Sequence, residues 1–267
     1  EEAAWELVRN FHPKVDSYDE TRNDPARNGT SSLSPHLRFG TIHPRQIIAE
    51  FAGHGDGRRV FLSEIAWREF YADVLSHQPR SVWENLQPQM NFLDIDRDDA
   101  AVAKFQLWAR GETGYPLVDA GMRQLLETGW MHNRVRMVAA SFLVKHLHLD
   151  WRWGARWFMW RLIDGDIASN QHGWQWTAGT GTDAAPYHRI FNPTTQAERF
   201  DPTGSYVHEY IPALRGVPAP QCLQPGGGEG LLAPGGYVAP MIDAKTERDE
   251  ALRRFAVARE TAKAQRG

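Results

Sequence analysis

DGDIASNQHGWQW, residues 164–176, is the stretch around which the rest of the 267-residue chain arranges itself. Two carboxylates flank a glycine, an asparagine follows four residues after the second, and two tryptophans close the run. Upstream, WMHNRVRM (130–137) repeats the mixture of aromatic, amide and arginine. Downstream, GTGTDAAPYHRIFNPTTQ (179–196) is polar and turn-rich, yet short of the charges of an ordinary surface loop. Seven of the eleven tryptophans lie between Trp130 and Trp176. A core can absorb tryptophans, but each ring brings an N–H that needs a partner. Mixed with Asn, Asp and Arg, they read as the wall of a site for a large planar ligand.

The composition, 42% hydrophobic and 24% charged, is globular and long enough for one large domain or two lobes. A net charge of −3 makes the whole chain no magnet for nucleic acid. From Gly121 to Arg161, however, seven basic residues face two acids, Glu127 and Asp150. Such a run is ordinarily a solvated helix face. The neighbouring aromatics favour a local basic face whose binding is sensitive to salt. Cys222, the single cysteine, excludes an internal disulfide framework and a thiolate metal cage. No apolar run approaches the roughly 20 residues of a membrane span. The first residues, EEAAWELVRNF, are acidic and amphipathic, unlike a signal peptide. The expectation is a reduced, soluble, cytoplasmic monomer with no membrane association.

Apolar residues recur at helical spacing along the chain, and alternating strand patterns are nearly absent, so the fold class is all-α. Ala4, Leu7, Val8 and Phe11 mark a first helix that His12-Pro13 ends. Residues 1–15 are assigned to this helix and a linker, and 16–267 to one helical domain. Residues 16–32 read as polar loop. Ser34 and Pro35 then give N-cap and first helical position of a short helix. A second starts at Thr41-Ile42-His43-Pro44 and runs to about Phe51. Val60–Ser76 reads as a long, well-buried helix and 79–97 as loop. Further helices are expected over 100–110, 116–128, 133–148 and 151–163, the last capped by Asp150. Pro and Gly mark 201–243 as an extended surface loop before a closing helix at about 244–265. Neither GxGxxG nor a P-loop pattern occurs.

Several stretches could carry chemistry. GTSSLSPH (29–36) sets hydroxyls beside a helix start, where an anion such as pyrophosphate would sit well; a Ser/Thr-rich loop with a good cap is the plainer reading. Glu64, Trp67, Arg68 and Tyr71 share one helix face. Glu64 and Arg68 there form either an i,i+4 ion pair or, around Trp67, a seat for a base. His146 and His148, two apart, point to different faces, and no metal site is expected. Asp164 and Asp166 suit hydrogen-bonding roles beside Arg136 rather than paired acid catalysis.

Together TSSLSPHLRFG, WREFY, TGYPLVDAGMRQL, GWMHNRVRM, LIDGDIASNQHGWQW and GTDAAPYHRIFNPTTQ resemble the FAD-binding domain of class I photolyases and cryptochromes. The resemblance runs from about Tyr18 to Leu214. It implies the multihelical domain of that family, without the family's N-terminal α/β antenna domain, and hence no antenna chromophore. It also implies FAD as cofactor, active as FADH⁻, and UV-damaged DNA as partner. By this resemblance Tyr18, Thr30, Ser31, Ser32, Leu33 and Ser34 contact the FAD pyrophosphate and ribose. Arg136, Asp164, Gly165 and Asp166 hold the isoalloxazine and adenine side, and Asn170 faces flavin N5. Glu64, Trp67, Arg68, Tyr71, Asn133, Arg134, Met137 and Trp176 line the lesion pocket, with Arg22 and Gln196 on the DNA backbone. Trp174 beside the flavin and Trp151 beyond it match two members of the family's electron relay. Asn133 and Met137 favour a cyclobutane dimer over a (6-4) photoproduct. The activity implied is light-driven splitting of a flipped-out pyrimidine dimer, with Glu64, Asn133, Asn170, Trp151 and Trp174 as catalytic residues. Two rivals stay open: a cryptochrome that binds FAD without repair, and a nucleic-acid-binding helical module with no cofactor.

Overall fold

The structure, a computed structural model, describes residues 1–182, 189–227 and 236–265. Its helices are α1 (Glu2–Phe11), α2 (Tyr18–Thr21), α3 (Ser34–Phe39), α4 (Pro44–Glu50), α5 (Asp56–His77) and α6 (Asp99–Arg110). They continue as α7 (Pro116–Thr128), α8 (Asn133–Lys145), α9 (Trp151–Arg161), α10 (Ile167–Ala178), α11 (Pro193–Phe200), α12 (Ser205–Tyr210) and α13 (Ala244–Ala264). Among the described residues there is no strand, and no helix is long and apolar enough to cross a membrane.

Local chemistry explains most boundaries. Asp98, Asp150, Asp166, Asn192 and Asp243 each accept a first-turn backbone N–H, at Ala101, Arg152, Ser169, Thr195 and Thr246. Each cap satisfies a donor that the helix cannot pair internally. At the other ends Gly111, Gly129 and Gly179 close α6, α7 and α10 in the left-handed conformation.

The helices enclose two hydrophobic clusters. The smaller gathers Ala4, Val8, Phe11, Val15, Tyr18, Leu33, Phe51 and Phe61 from α1 to α5. Phe11 sits at its centre, with ring centroids 4.8–5.7 Å from Phe61, Phe51 and Tyr18. Residues 1–15 therefore pack into the same core as α2 to α5, and the boundary at 15/16 does not divide the packing. The larger cluster is built on α6 to α10 and extends to Tyr206, Ile211, Leu214, Cys222 and Leu223. In the TGYPLVD stretch, fully buried Asp119 accepts from Thr113 N and Oγ1, Gly114 N and the Tyr237 hydroxyl at 2.6–2.9 Å. Burial pushes its carboxyl above the usual range, and these donors pull it back.

Several expectations change. Ser34 is the first helical residue of α3 and Leu33 occupies the cap, because Leu33 is already turned toward helical geometry. Residues 12–21, expected in part as loop, wind through a 3-10 turn into α2. Within 79–97, Pro79 and Pro88 each open a short 3-10 turn. Helix α5 buries only Gly57, Phe61 and Ile65, since its other faces border a cleft and solvent. Gly57 lies where a Cβ would collide with the Val15 carbonyl oxygen, so α5 and the 3-10 turn touch backbone to backbone. The described part of the 201–243 stretch is no extended surface loop: Tyr206, Val207, Tyr210, Ile211, Leu214, Cys222 and Leu223 lie in or beside α12 and short 3-10 turns and pack into the larger core. The glycine-rich parts of it at 228–235 lie outside the described residues.

Burial pushes His146 and His132 down to about 4, with neighbouring positive charges adding to the effect. Both fall below the ordinary histidine value near 6.5, so the unfolded chain takes up protons that the fold refuses. The contribution of these two histidines to stability is fully present above pH 6.5 and is lost as pH falls toward 4. Denaturant midpoints measured across that window should fall with pH, and His146→Phe, which keeps a ring against Phe142, should flatten the slope.

Candidate functional site

A cleft opens where the two clusters meet. It comprises three adjoining cavities of about 160, 290 and 430 Å³. Asn133 and Ser169 line all three, which makes them one continuous site. Tyr18, Leu33, Leu37, Phe61 and Ile65 form one wall from the smaller core; Met131, Phe158, Leu162 and Trp174 form the facing one.

On the inner side, Thr30 to Ser34 line the middle cavity together. Ser32 has φ of 55°, a left-handed conformation uncommon outside glycine. That bend carries the hydroxyl run around the cavity wall, and the Leu33 N–H donates to Ser31 Oγ at 3.4 Å. Tyr18 lies under the run, its hydroxyl pushed up to about 12 by burial. Across the cavity, Arg136 Nη2 donates to Asp164 Oδ2 at 2.8 Å and Arg136 Nε to the Met131 carbonyl at 2.7 Å. Asp164 Oδ1 is buried with no hydrogen-bond partner among the described residues. A buried acceptor left open in a cavity wall is a seat for a ligand N–H. Gly165 offers its carbonyl to Arg38 Nε at 2.5 Å, tying α3 to the 164–166 turn. Asp166, read as a ligand contact, caps α10 through Ser169 N at 2.9 Å and also lines the inner cavities.

The outer cavity collects Arg22, Glu64, Trp67, Arg68, Tyr71, Asn133, Arg134, Met137 and Trp176, which are far apart in sequence. Glu64 pairs with Arg22 at 2.6 Å, so the helical pairing with Arg68 is not used. Arg68 instead donates to the Leu37 carbonyl at 3.2 Å and to Glu69 at 3.0 Å. Arg134 donates twice to Asn23 Oδ1 and lies 4.4 Å over the Phe200 ring. Trp67 keeps 39% of its surface exposed at the cleft, an unusual amount for so large an apolar ring.

Helix α10 supplies the floor. Asn170 lines the inner cavity, its amide nitrogen donating to the Ala155 carbonyl at 3.0 Å. Trp174 lines the same cavity and rests on Phe158 and Trp108, with ring centroids 5.0 and 6.1 Å away. A Cβ on Gly154 would collide with the Trp174 ring, so this seat exists only with glycine. Trp151 is buried away from the cavity linings, donating Nε1 to Asn85 Oδ1 at 2.9 Å. Gln196, on α11, is likewise outside the linings, and residues 183–188 of the GTDAAPYHRIFNPTTQ stretch lie outside the described residues. Ser169, Gly173 and Thr177 escaped notice in the sequence. Their i,i+4,i+8 spacing, beginning three residues after the Asp166 cap, was the available signal, because it places small residues along one helix face.

Residues 61–257 match the family described as "FAD binding domain of DNA photolyase". The chain is 46% identical over 265 residues to deoxyribodipyrimidine photo-lyase of Vibrio cholerae, covering 94% of this chain and 55% of that one. It is 43% identical to the enzyme of that name from Escherichia coli, covering 97% and 56%. It thus spans about half the length of these relatives. Among solved structures, a class III photolyase from Agrobacterium tumefaciens superposes with a TM-score of 0.86 at 41% identity, covering 96% and 55%. A Synechocystis cryptochrome gives 0.84 at 32% identity, covering 94% and 55%.

Arg136→Ala should leave the Asp164 carboxylate buried without a counter-charge and lower stability by about 3 kcal/mol, the low end for a broken buried pair. Arg136→Ala with Asp164→Asn should recover much of that in urea unfolding. Gly154→Ala should cost about 1–3 kcal/mol by overpacking against Trp174, with a shifted tryptophan emission as its signature.

Proposed function

We propose a light-dependent DNA-repair function for this chain, which belongs to the family of FAD-binding domains of DNA photolyases. The observation that carries the reading is the single cleft with two chemically different halves that meet at Asn133 and Ser169. The inner half fits FAD. The hydroxyl run at Thr30–Ser34, bent at Ser32, would take the pyrophosphate and ribose. Asp164 Oδ1 would accept a flavin N–H, held ready by Arg136. Asn170 would meet the isoalloxazine edge from α10, above the shelf formed by Trp174. Reduced FAD, when bound, absorbs blue light and supplies the electron that opens a cyclobutane pyrimidine dimer.

The chain's own residues bind, orient and dry the substrate. Trp67 and Trp176 present aromatic faces to the outer cavity and would receive a dimer flipped out of the duplex, an extrusion cheaper for damaged bases than for paired ones. Glu64 would hydrogen-bond the dimer's polar edge, fixed in place by Arg22 at 2.6 Å. Asn133 would touch both occupants, and Met137 would close the apolar side. Arg22, Arg68, Arg134 and Gln196 would meet the phosphates. Trp174 and Trp151 are assigned to electron supply from the protein, which the repair cycle itself does not consume.

Purified protein should carry a flavin absorption spectrum. With the flavin chemically reduced, it should restore dimer-containing DNA under blue light and not in darkness. Glu64→Gln should lower the yield per photon more than the affinity, and Trp67→Ala should weaken binding of dimer DNA by about tenfold. Flavin-loaded, reduced protein that leaves dimers intact under light would move the reading to a photoreceptor; protein that takes up no flavin would move it to a plain nucleic-acid-binding module.

A further inference from the structure

Helix α9 reads WRWGARWFMWR and contains four tryptophans, three arginines and no acid. Its inner face is conventional: Trp151, Gly154, Ala155 and Phe158 are buried, and Phe158 with Leu162 lines the cleft. Trp153, Arg156, Trp157 and Trp160 follow at i, i+3, i+4 and i+7, which sets them on one stripe facing the other way. An outward stripe is normally polar; this one is indole and guanidinium.

Trp160 is 71% exposed, and Arg156 and Arg161 are exposed beside it. Trp153 and Trp157 are half-buried, each standing edge-on against Phe105 with ring centroids 5.7 and 6.2 Å away. That support holds two of the rings in place before any partner arrives, so little freedom is lost on contact. The Arg161 guanidinium lies 4.5 Å from the Trp157 ring and that of Arg156 lies 6.0 Å from Trp160. Among the described residues no ion pair uses Arg156 or Arg161, and the buried Trp157 indole N–H has no acceptor.

We infer that this face of α9 is a second nucleic-acid surface, distinct from the cleft, that takes a single strand by stacking unpaired bases on its tryptophans and meeting phosphates with Arg156 and Arg161. Positive charge with no acid on the helix selects a polyanion, and the exposed indole of Trp160, beside the half-buried Trp153 and Trp157, selects one with free ring faces, which a duplex hides. A second copy of the chain does not fit, because two such faces would bring arginines against arginines. This inference does not rest on the flavin or on dimer repair.

The test uses whole protein carrying Trp67→Ala, which weakens the cleft, and reads fluorescence anisotropy of a labelled, undamaged oligothymidylate at low salt. Binding should persist in this background, weaken about tenfold on adding Trp160→Ala, and lose about 0.7 of a unit of salt slope on adding Arg156→Gln. An unlabelled duplex of equal length should compete poorly. The inference fails if the Trp67→Ala protein does not bind the strand, or if Trp160→Ala leaves its affinity unchanged. It fails equally if duplex competes as well as single strand, or if the Trp160-dependent binding is seen only with anionic lipid vesicles. Trp160→Ala in the otherwise unaltered protein should leave dimer-DNA affinity and flavin content as they were, which separates this surface from the cleft and from misfolding.

Discussion

Helix α10 can serve two cavities because its rotation is fixed from behind by buried hydrogen bonds. Gln175, fully buried, donates to the carbonyls of Ser81 and Glu84 at 2.7 and 3.0 Å and accepts from Leu86 N at 3.0 Å. Gln171 donates to the Val82 carbonyl at 2.6 Å. His172 joins the Ala168 carbonyl at 2.7 Å and Ser81 Oγ at 2.9 Å, with its ring flat against Tyr71 at 5.6 Å. Each of these polar groups would cost about 1–3 kcal/mol if left unpaired, so the helix has one satisfactory register against 81–86. With the back face pinned, Asn170, Gly173, Trp174 and Trp176 must face the cleft.

Two separately packed clusters with a polar seam between them give a large ligand walls that do not need to close up in its absence. The seam is crossed by specific links, Arg38 to the Gly165 carbonyl at 2.5 Å and Arg134 to Asn23 Oδ1 at 2.7 Å, and is lined by one ion pair on either side, Arg22 with Glu64 at 2.6 Å and Arg136 with Asp164 at 2.8 Å. Asp164 is the sharpest case. Its side chain is 3% exposed, and one oxygen is answered by Arg136 while the other is left open toward the cavity. A buried carboxylate in that condition is stable only because the guanidinium is already in place, and it is primed to take one more donor.

Much of the site was legible in residue types, for reasons that can be named. The hydroxyls at 30–34, the DGD turn and the WREFY helix each carry groups that a packed core would reject, so they stand out in an otherwise apolar pattern. Ser169, Gly173 and Thr177 carry no such mark, being small and common in any helix, and only their place on α10 makes them part of the site. The 201–243 stretch misled because its prolines and glycines speak of turns and say nothing of burial. Its Tyr206, Val207, Ile211 and Leu214 were the residues that mattered, and the larger core takes all of them.

What the sequence determined by itself is local: where helices begin and end, and which of their faces are apolar. An aspartate cap, a first-turn proline and a closing glycine act within a turn of the residues that they serve, so α6, α7, α9 and α13 could be placed from nearby residues or caps, whereas α10 was not expected from the sequence. The tertiary structure decided which charge answers which. Glu64 had Arg68 one turn away, yet its partner is Arg22, 42 residues distant, because the packing of α2 against α5 delivers that guanidinium to 2.6 Å. Arg136 reaches Asp164 across 28 residues, and Gln175 reaches Ser81 across 94, for the same reason. Such pairings depend on distances of a few ångströms between elements remote in the chain, and those distances exist only once both cores have formed.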